Sequence, residues 1–172
     1  MKVLKIGNLL ATVPIVQGGM GVGISLSGLA SAVANQGGVG VISSAGLGAI
    51  YNNYSKDYRA ASIWGLKEEL RKAREATRGI VGVNVMVAMS NFADMVKTAV
   101  AEKADIIFSG AGLPLNLPSF LTEGAKTKLA PIAAIHCCVR YIKALPHFIH
   151  HIFIFSNFVK NILFYLAFSI FR

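Results

Sequence analysis

Short apolar runs bounded by glycine or polar residues alternate with helical patterns from Val13 to Ala133, which restricts this stretch to a parallel α/β fold. The runs are Val13 to Gln17, Val39 to Ile42, Ile80 to Met86, Asp105 to Phe108 and Leu129 to Ala133. They are continuously apolar rather than alternating, as expected of strands buried on both faces. Between them, Leu26 to Asn35 reads as a helix of small residues, with Ser25 or Ser27 as N-cap and Gly37-Gly38 beyond its end. A long loop is expected over 43–65. Leu66 to Arg78 reads as a helix with Leu66, Leu70 and Ala73 on one face, Glu68 and Lys72 as an i,i+4 pair, and Gly79 as its stop. Phe92, Met95, Val96, Ala99 and Val100 follow helical spacing behind Asn91, a candidate cap, and Pro118 to Lys126 reads as a short helix. The order β-α-β-α-β-α-β-α-β requires crossover connections, so an open doubly wound sheet and a (β/α) barrel both fit.

Composition divides the chain in two. All 17 glycines and all 8 acidic residues lie at or before Gly124, whereas all 4 histidines and both cysteines follow Pro131. The net charge of +9 is unevenly spread: the six basic residues after Gly124 face no acidic ones, so most of the excess belongs to the C-terminal stretch. A nucleic-acid-binding reading based on overall charge therefore fails. With 54% hydrophobic and 15% charged residues the chain is not intrinsically disordered, and the adjacent Cys137 and Cys138 are no disulfide scaffold.

In parallel α/β folds, ligands meet the loops at the carboxyl ends of the strands. The first such loop, Gly18-Gly19-Met20-Gly21-Val22-Gly23, lets backbone approach a flat ligand and exposes N–H donors. It lacks both the G-x-G-x-x-G and the G-x-x-x-x-G-K-[ST] spacing, which disfavours a classical dinucleotide or nucleoside-triphosphate site. The second loop is Ser43 to Gly48. Asn84 places an amide inside the third strand, where either a ligand or neighbouring backbone must satisfy it. Ser109, Gly110, Ala111 and Gly112 open the fourth loop, which runs to Pro114. None of these loops carries a His, Cys or carboxylate cluster, so no metal site is expected.

Four ordered motifs resemble the nitronate monooxygenase (2-nitropropane dioxygenase) family: PIVQGGMG from Pro14, GGVGVI from Gly37, GVNVM from Gly82 and SGAGLP from Ser109. The resemblance extends from about Lys5 to Ile132. It implies a (β/α)8 TIM barrel holding FMN without a covalent link and oxidising alkyl nitronates with O2 to carbonyl compounds and nitrite. It also implies that Gly19, Met20, Gly21 and Asn84 contact the flavin, with Ser109, Gly110, Ala111 and Gly112 lining the same cavity. A related family, the flavin-dependent enoyl-acyl-carrier-protein reductases, is the alternative reading.

The sequence also departs from this pattern. A TIM barrel needs eight βα units, whereas about four and a fifth strand are readable here. The histidine that catalyses in the family lies near a Gly-Gly-His segment that has no counterpart, and its role does not transfer to His136, His147, His150 or His151. No catalytic residue is assigned. The expected organisation is the N-terminal part of an FMN-dependent barrel over 1–131 and a non-family basic, hydrophobic tail over 132–172, read as the product of a shifted frame or broken gene boundary. The stretch 152–171 carries one charge, Lys160, and has the length of a membrane-spanning or interfacial helix. That makes a non-catalytic, membrane-associating remnant a further alternative. The amino terminus reads as mature cytoplasmic sequence, and an incomplete barrel is expected to self-associate through open sheet edges and to bind FMN weakly or not at all.

Overall fold

The computed structural model describes residues 3–132; the expectations for the hydrophobic tail, its membrane-length stretch and its histidines and cysteines lie outside the described residues. The chain begins with a hairpin, β1 (Leu4–Ile6) and β2 (Leu9–Ala11), paired antiparallel with Leu4 opposite Ala11. The hairpin is additional to the strands expected from the sequence, and Gly7-Asn8 is its two-residue connection. The remaining elements are α1 (Ser27–Asn35), β3 (Val39–Ser43), α2 (Leu47–Ile50), α3 (Tyr58–Ala76), β4 (Ile80–Met86), α4 (Phe92–Ala101), β5 (Ile106–Gly110), a 3-10 turn at Leu117–Phe120 and β6 (Lys128–Pro131). Strands β3, β4, β5 and β6 form one parallel sheet in sequence order, with Val41 opposite Gly82, Gly82 opposite Ile106 and Ile106 opposite Lys128.

The two faces of this sheet are sorted by residue parity. Ile42, Val81, Val83, Val85 and Ile107 pack under the helices, against residues such as Ala30, Leu66, Leu70, Met95 and Val96. Val39, Val41, Ile106, Phe108 and Ala130 face the other way and are covered by Leu4, Ile6 and Ala11 of the hairpin. Both faces are therefore buried, which is why the strands read as continuous apolar runs. Each fully buried Val, Leu or Ile contributes about 1.5–3 kcal/mol to this arrangement.

Several sequence expectations need correction. Val13 to Gln17 runs beside β3 but joins it by one parallel bridge, Val16 to Val39. Pro14 has no N–H to give, and beyond the bridge the Gln17 side chain replaces the backbone: Nε2 donates to the Val41 carbonyl at 3.0 Å while Oε1 accepts from the Val41 N–H at 3.3 Å. The expected long loop over 43–65 contains α2 and the first two turns of α3. Asp57 starts α3, its carboxylate accepting from the N–H groups of Arg59 and Ala60. That helix stops at Ala76, before Gly79. Glu68 pairs with Arg71, and Lys72 with Glu69, in place of the expected Glu68–Lys72 pair. The short helix over 118–126 reduces to the 3-10 turn, since Gly124 takes a left-handed φ of 77°. Neither Ser25 nor Ser27 caps α1: Leu26 holds the cap position, and Ser25 is committed to the preceding loop. Asn91 holds the cap position of α4 without a side-chain cap bond.

No helix among the described residues is long and apolar enough to cross a membrane.

Candidate functional site

The carboxyl ends of β3, β4 and β5 bring three of the sequence-marked segments together. By strand parity Ser43, Asn84 and Gly110 belong to the face that carries Val41, Gly82 and Phe108, so they form the upper rim of the inner side. The glycine loop at 18–24 lies across this rim. Asn84 Nδ2 donates to the Gly19 carbonyl at 3.0 Å, which fixes the loop to β4. A Cβ on Gly19 would stand 2.4 Å from the Asn84 Cβ, and one on Gly21 would stand 2.9 Å from the Ala45 Cβ. Only glycine permits contacts this close. Asn84 is half-buried and draws in the second loop as well, since its carbonyl accepts from both the N–H and the hydroxyl of Ser44. The amide is thus satisfied in part by neighbouring backbone, while its Oδ1 has no protein donor among the described residues.

Ser25 shapes the loop from within. Its N–H donates to the Met20 carbonyl, its hydroxyl accepts from the Met20 N–H at 3.0 Å and donates to the Gly18 carbonyl at 3.1 Å, and its carbonyl accepts from the Ser43 N–H. These four bonds close 18–25 into a compact turn standing on β3. The N–H groups of Gly19, Gly21 and Val22 donate to no acceptor among the described residues, so the turn presents unsatisfied donors. Met20, Val22 and Ile24 are exposed beside them.

On the β5 side the marked residues separate. Gly110 accepts through its carbonyl from the Val87 N–H, and Ala111 and Gly112 are exposed at the start of the next loop. Ser109 shares the parity of Ile107 and so belongs to the helix-facing side; its hydroxyl is fully buried and has no partner among the described residues. The loops that meet at this end carry no charged side chain between Gln17 and Leu26, Ser43 and Gly48, Met86 and Asn91, or Gly110 and Leu117.

One residue of structural weight escaped the sequence reading. Glu69 lies in the buried stripe of α3 between Leu66 and Ala73, and its carboxylate accepts from the Ser27 N–H at 2.6 Å and from the Tyr51 hydroxyl. Burial pushes this carboxyl up, but the bonds from Tyr51 and Ser27 with the Lys72 charge outweigh it and hold it below the ordinary value. Burial and the bond to Glu69 push the Tyr51 phenol well above its ordinary value. The signal was present: an acid three residues from Leu66 and four from Ala73 falls inside the apolar stripe.

A parallel α/β barrel-type sheet with a neutral, glycine-lined mouth at its strand carboxyl ends is the class of structure these features define. The family model for nitronate monooxygenase matches residues 2–126, and the chain belongs to that family. Among solved structures, it is similar to FabK from Thermotoga maritima, with 27% identity, a TM-score of 0.57, and coverage of 76% of this chain and 37% of that one. It shares its fold with the nitroalkane oxidase of Streptomyces ansochromogenes, with 18% identity, a TM-score of 0.61, and coverage of 77% of this chain and 44% of that one. The chain thus spans less than half the length of either neighbour. No curated protein matches it. The family match and these neighbours support a TIM-barrel-type fold, present here in part.

Proposed function

We propose that the mouth formed by 18–25, Asn84 and 110–112 holds the ring system of FMN, in a protein that oxidises alkyl nitronates. The observation that carries this reading is the glycine turn pinned by Asn84, with unsatisfied N–H groups and no charged neighbour. A flat, neutral, polar-edged ring suits such a surface: it stacks on backbone that no Cβ can obstruct and accepts from the free donors. Gly19, Met20 and Gly21 supply the backbone, and Asn84 Oδ1 accepts from a ring N–H. Gly110, Ala111 and Gly112 bound the far side, whereas the Ser109 side chain faces the helices and has no part in this mouth.

Bound FMN supplies the redox chemistry by which nitronates and O2 give carbonyl compounds and nitrite. The protein's part here is to orient the ring and shield one face from water. No histidine falls among residues 3–132, so these residues supply no imidazole for proton transfer. Lacking an evident phosphate anchor, the described mouth is expected to bind FMN weakly.

Titration of the purified chain with FMN, followed by flavin fluorescence and absorbance, tests this. Quenching that saturates at micromolar or higher concentration, with a shifted absorbance band, supports the reading; an unperturbed spectrum at saturating protein refutes it. Nitrite release from a nitronate with O2 separates the proposed activity from the alternative, pyridine-nucleotide oxidation with an enoyl thioester.

A further inference from the structure

Beneath the mouth, one buried carboxylate connects the two loops that build its first wall. Glu69 is 3% exposed, in a stripe of α3 where its neighbours Leu66, Leu70 and Ala73 are apolar. Placing a carboxylate there is unfavourable unless charge-assisted hydrogen bonds compensate. An apolar residue of similar size would satisfy the packing alone.

The two bonds that Glu69 receives come from different loops. Ser27 is the first residue of α1, and its cap position, Leu26, has no side-chain acceptor. Glu69 therefore caps α1 from a different helix, 42 residues away in sequence. Two residues before Ser27 stands Ser25, whose bonds to Gly18 and Met20 close the glycine turn. Tyr51 follows α2 directly, at the end of the segment in which Ala45 abuts Gly21 and Gly46 abuts Val22. Its ring is held in place by an edge contact with Trp64.

We propose that Glu69 is a positioning residue of the cofactor site, which ties segments 18–27 and 44–51 into a single wall through Ser27 and Tyr51. Its significance for a flavin rests on the reading above; the tie itself does not.

Amide hydrogen exchange on the full chain without cofactor tests the tie, using Glu69→Leu, Glu69→Gln and Tyr51→Phe. Glu69→Leu is expected to speed exchange about tenfold in peptides covering 18–27 and 44–51, relative to the rest of the chain, as befits loss of charge-assisted bonds. Tyr51→Phe is expected to loosen 44–51 selectively, and Glu69→Gln, which retains an acceptor for Ser27, to keep most of the protection over 18–27. A merely structural acid predicts the opposite, since leucine would pack the stripe with both loops as protected as in the wild type. That result overturns the proposal, as does faster exchange spread evenly over the chain. Should Glu69→Leu not fold, Tyr51→Phe decides alone: unchanged protection over 44–51 overturns the tie. FMN titration of the same proteins forms a separate arm. A wild type that binds no FMN refutes the flavin reading and leaves the exchange result to decide the tie. If the wild type binds, about tenfold weaker binding by Tyr51→Phe extends the tie to the cofactor, and unchanged affinity refutes that extension.

Discussion

Asn84 donates through Nδ2 to the Gly19 carbonyl across 3.0 Å, and the same side chain leaves no space for a Cβ on Gly19. The pair acts as a clasp between strand β4 and the glycine turn. Gly19→Ala is expected to lift the turn, break the amide bond and cost about 1–3 kcal/mol of stability. Where FMN binding is measurable, its affinity is expected to fall about tenfold or more. The double variant Gly19→Ala with Asn84→Gly removes the opposing Cβ, so its stability loss should be smaller than the two single losses added together. Urea unfolding of the three variants checks this.

Removing only the donor isolates the hydrogen bond. Asn84→Ala leaves the Gly19 carbonyl without its partner but keeps the Cβ contact, at an expected cost of about 1 kcal/mol. The turn should become more mobile than the rest of the chain, visible as increased protease cleavage between Gly18 and Ile24. Unchanged cleavage would mean that Ser25 alone holds the turn.

The strands were legible because both sheet faces are covered: Val81, Val83 and Val85 under the helices and Val39, Val41 and Phe108 against the hairpin produce unbroken apolar runs. The glycine turn and Asn84 were legible as chemistry-bearing oddities in those runs. The start of α3 was not, because Tyr58 to Trp64 carries no apolar stripe to mark a helix behind the Asp57 cap. The tie through Glu69 was hidden for another reason. Residue spacing shows that an acid lies in a buried stripe, but not that its partners are Ser27 and Tyr51, brought to it by tertiary packing.

Glu69 also makes stability depend on acidity. Burial raises its pKa, yet the Tyr51 and Ser27 bonds and the neighbouring Lys72 hold it below the value of an unfolded chain. A carboxyl depressed in the folded state contributes its full stabilisation above the unfolded pKa, about 4.3 for Glu, and loses it as pH falls through the folded pKa. Tyr51 stays protonated throughout this range, and Glu68 and Lys72 are the nearby charged groups. The melting temperature is therefore expected to drop below about pH 4.3, and this drop should be smaller in Glu69→Gln. Parallel acid profiles for the two proteins would refute the assignment.

Among the described residues β6 pairs only with β5, and the opposite edge joins β3 by a single bridge. Exposed strand edges are templates for pairing with another chain. We propose that the chain self-associates through them. Light scattering should give a mass above the 18.3 kDa monomer that rises with concentration; a constant monomer mass would refute this.

A helix–sheet contact that depends on glycine lies away from the mouth, between Gly40 of β3 and α1. A Cβ at position 40 would stand 1.9 Å from the Ala30 carbonyl oxygen and 2.9 Å from the Ala30 Cα. Backbone atoms of a helix packed by Ala30 and Ala34 cannot rotate aside as a side chain could. Gly40→Ala must therefore push α1 off the sheet, at an expected cost of about 3 kcal/mol or more, the upper end for overpacking. The displacement would carry Ser27 away from Glu69 and disturb the glycine turn that precedes α1. Gly28→Ala is the matched control: its Cβ meets nothing within 4 Å, and in a helix alanine is preferred to glycine. That variant is expected to gain up to about 1 kcal/mol. Urea midpoints that shift in opposite directions for the two alanines would verify the packing, and equal shifts would contradict it.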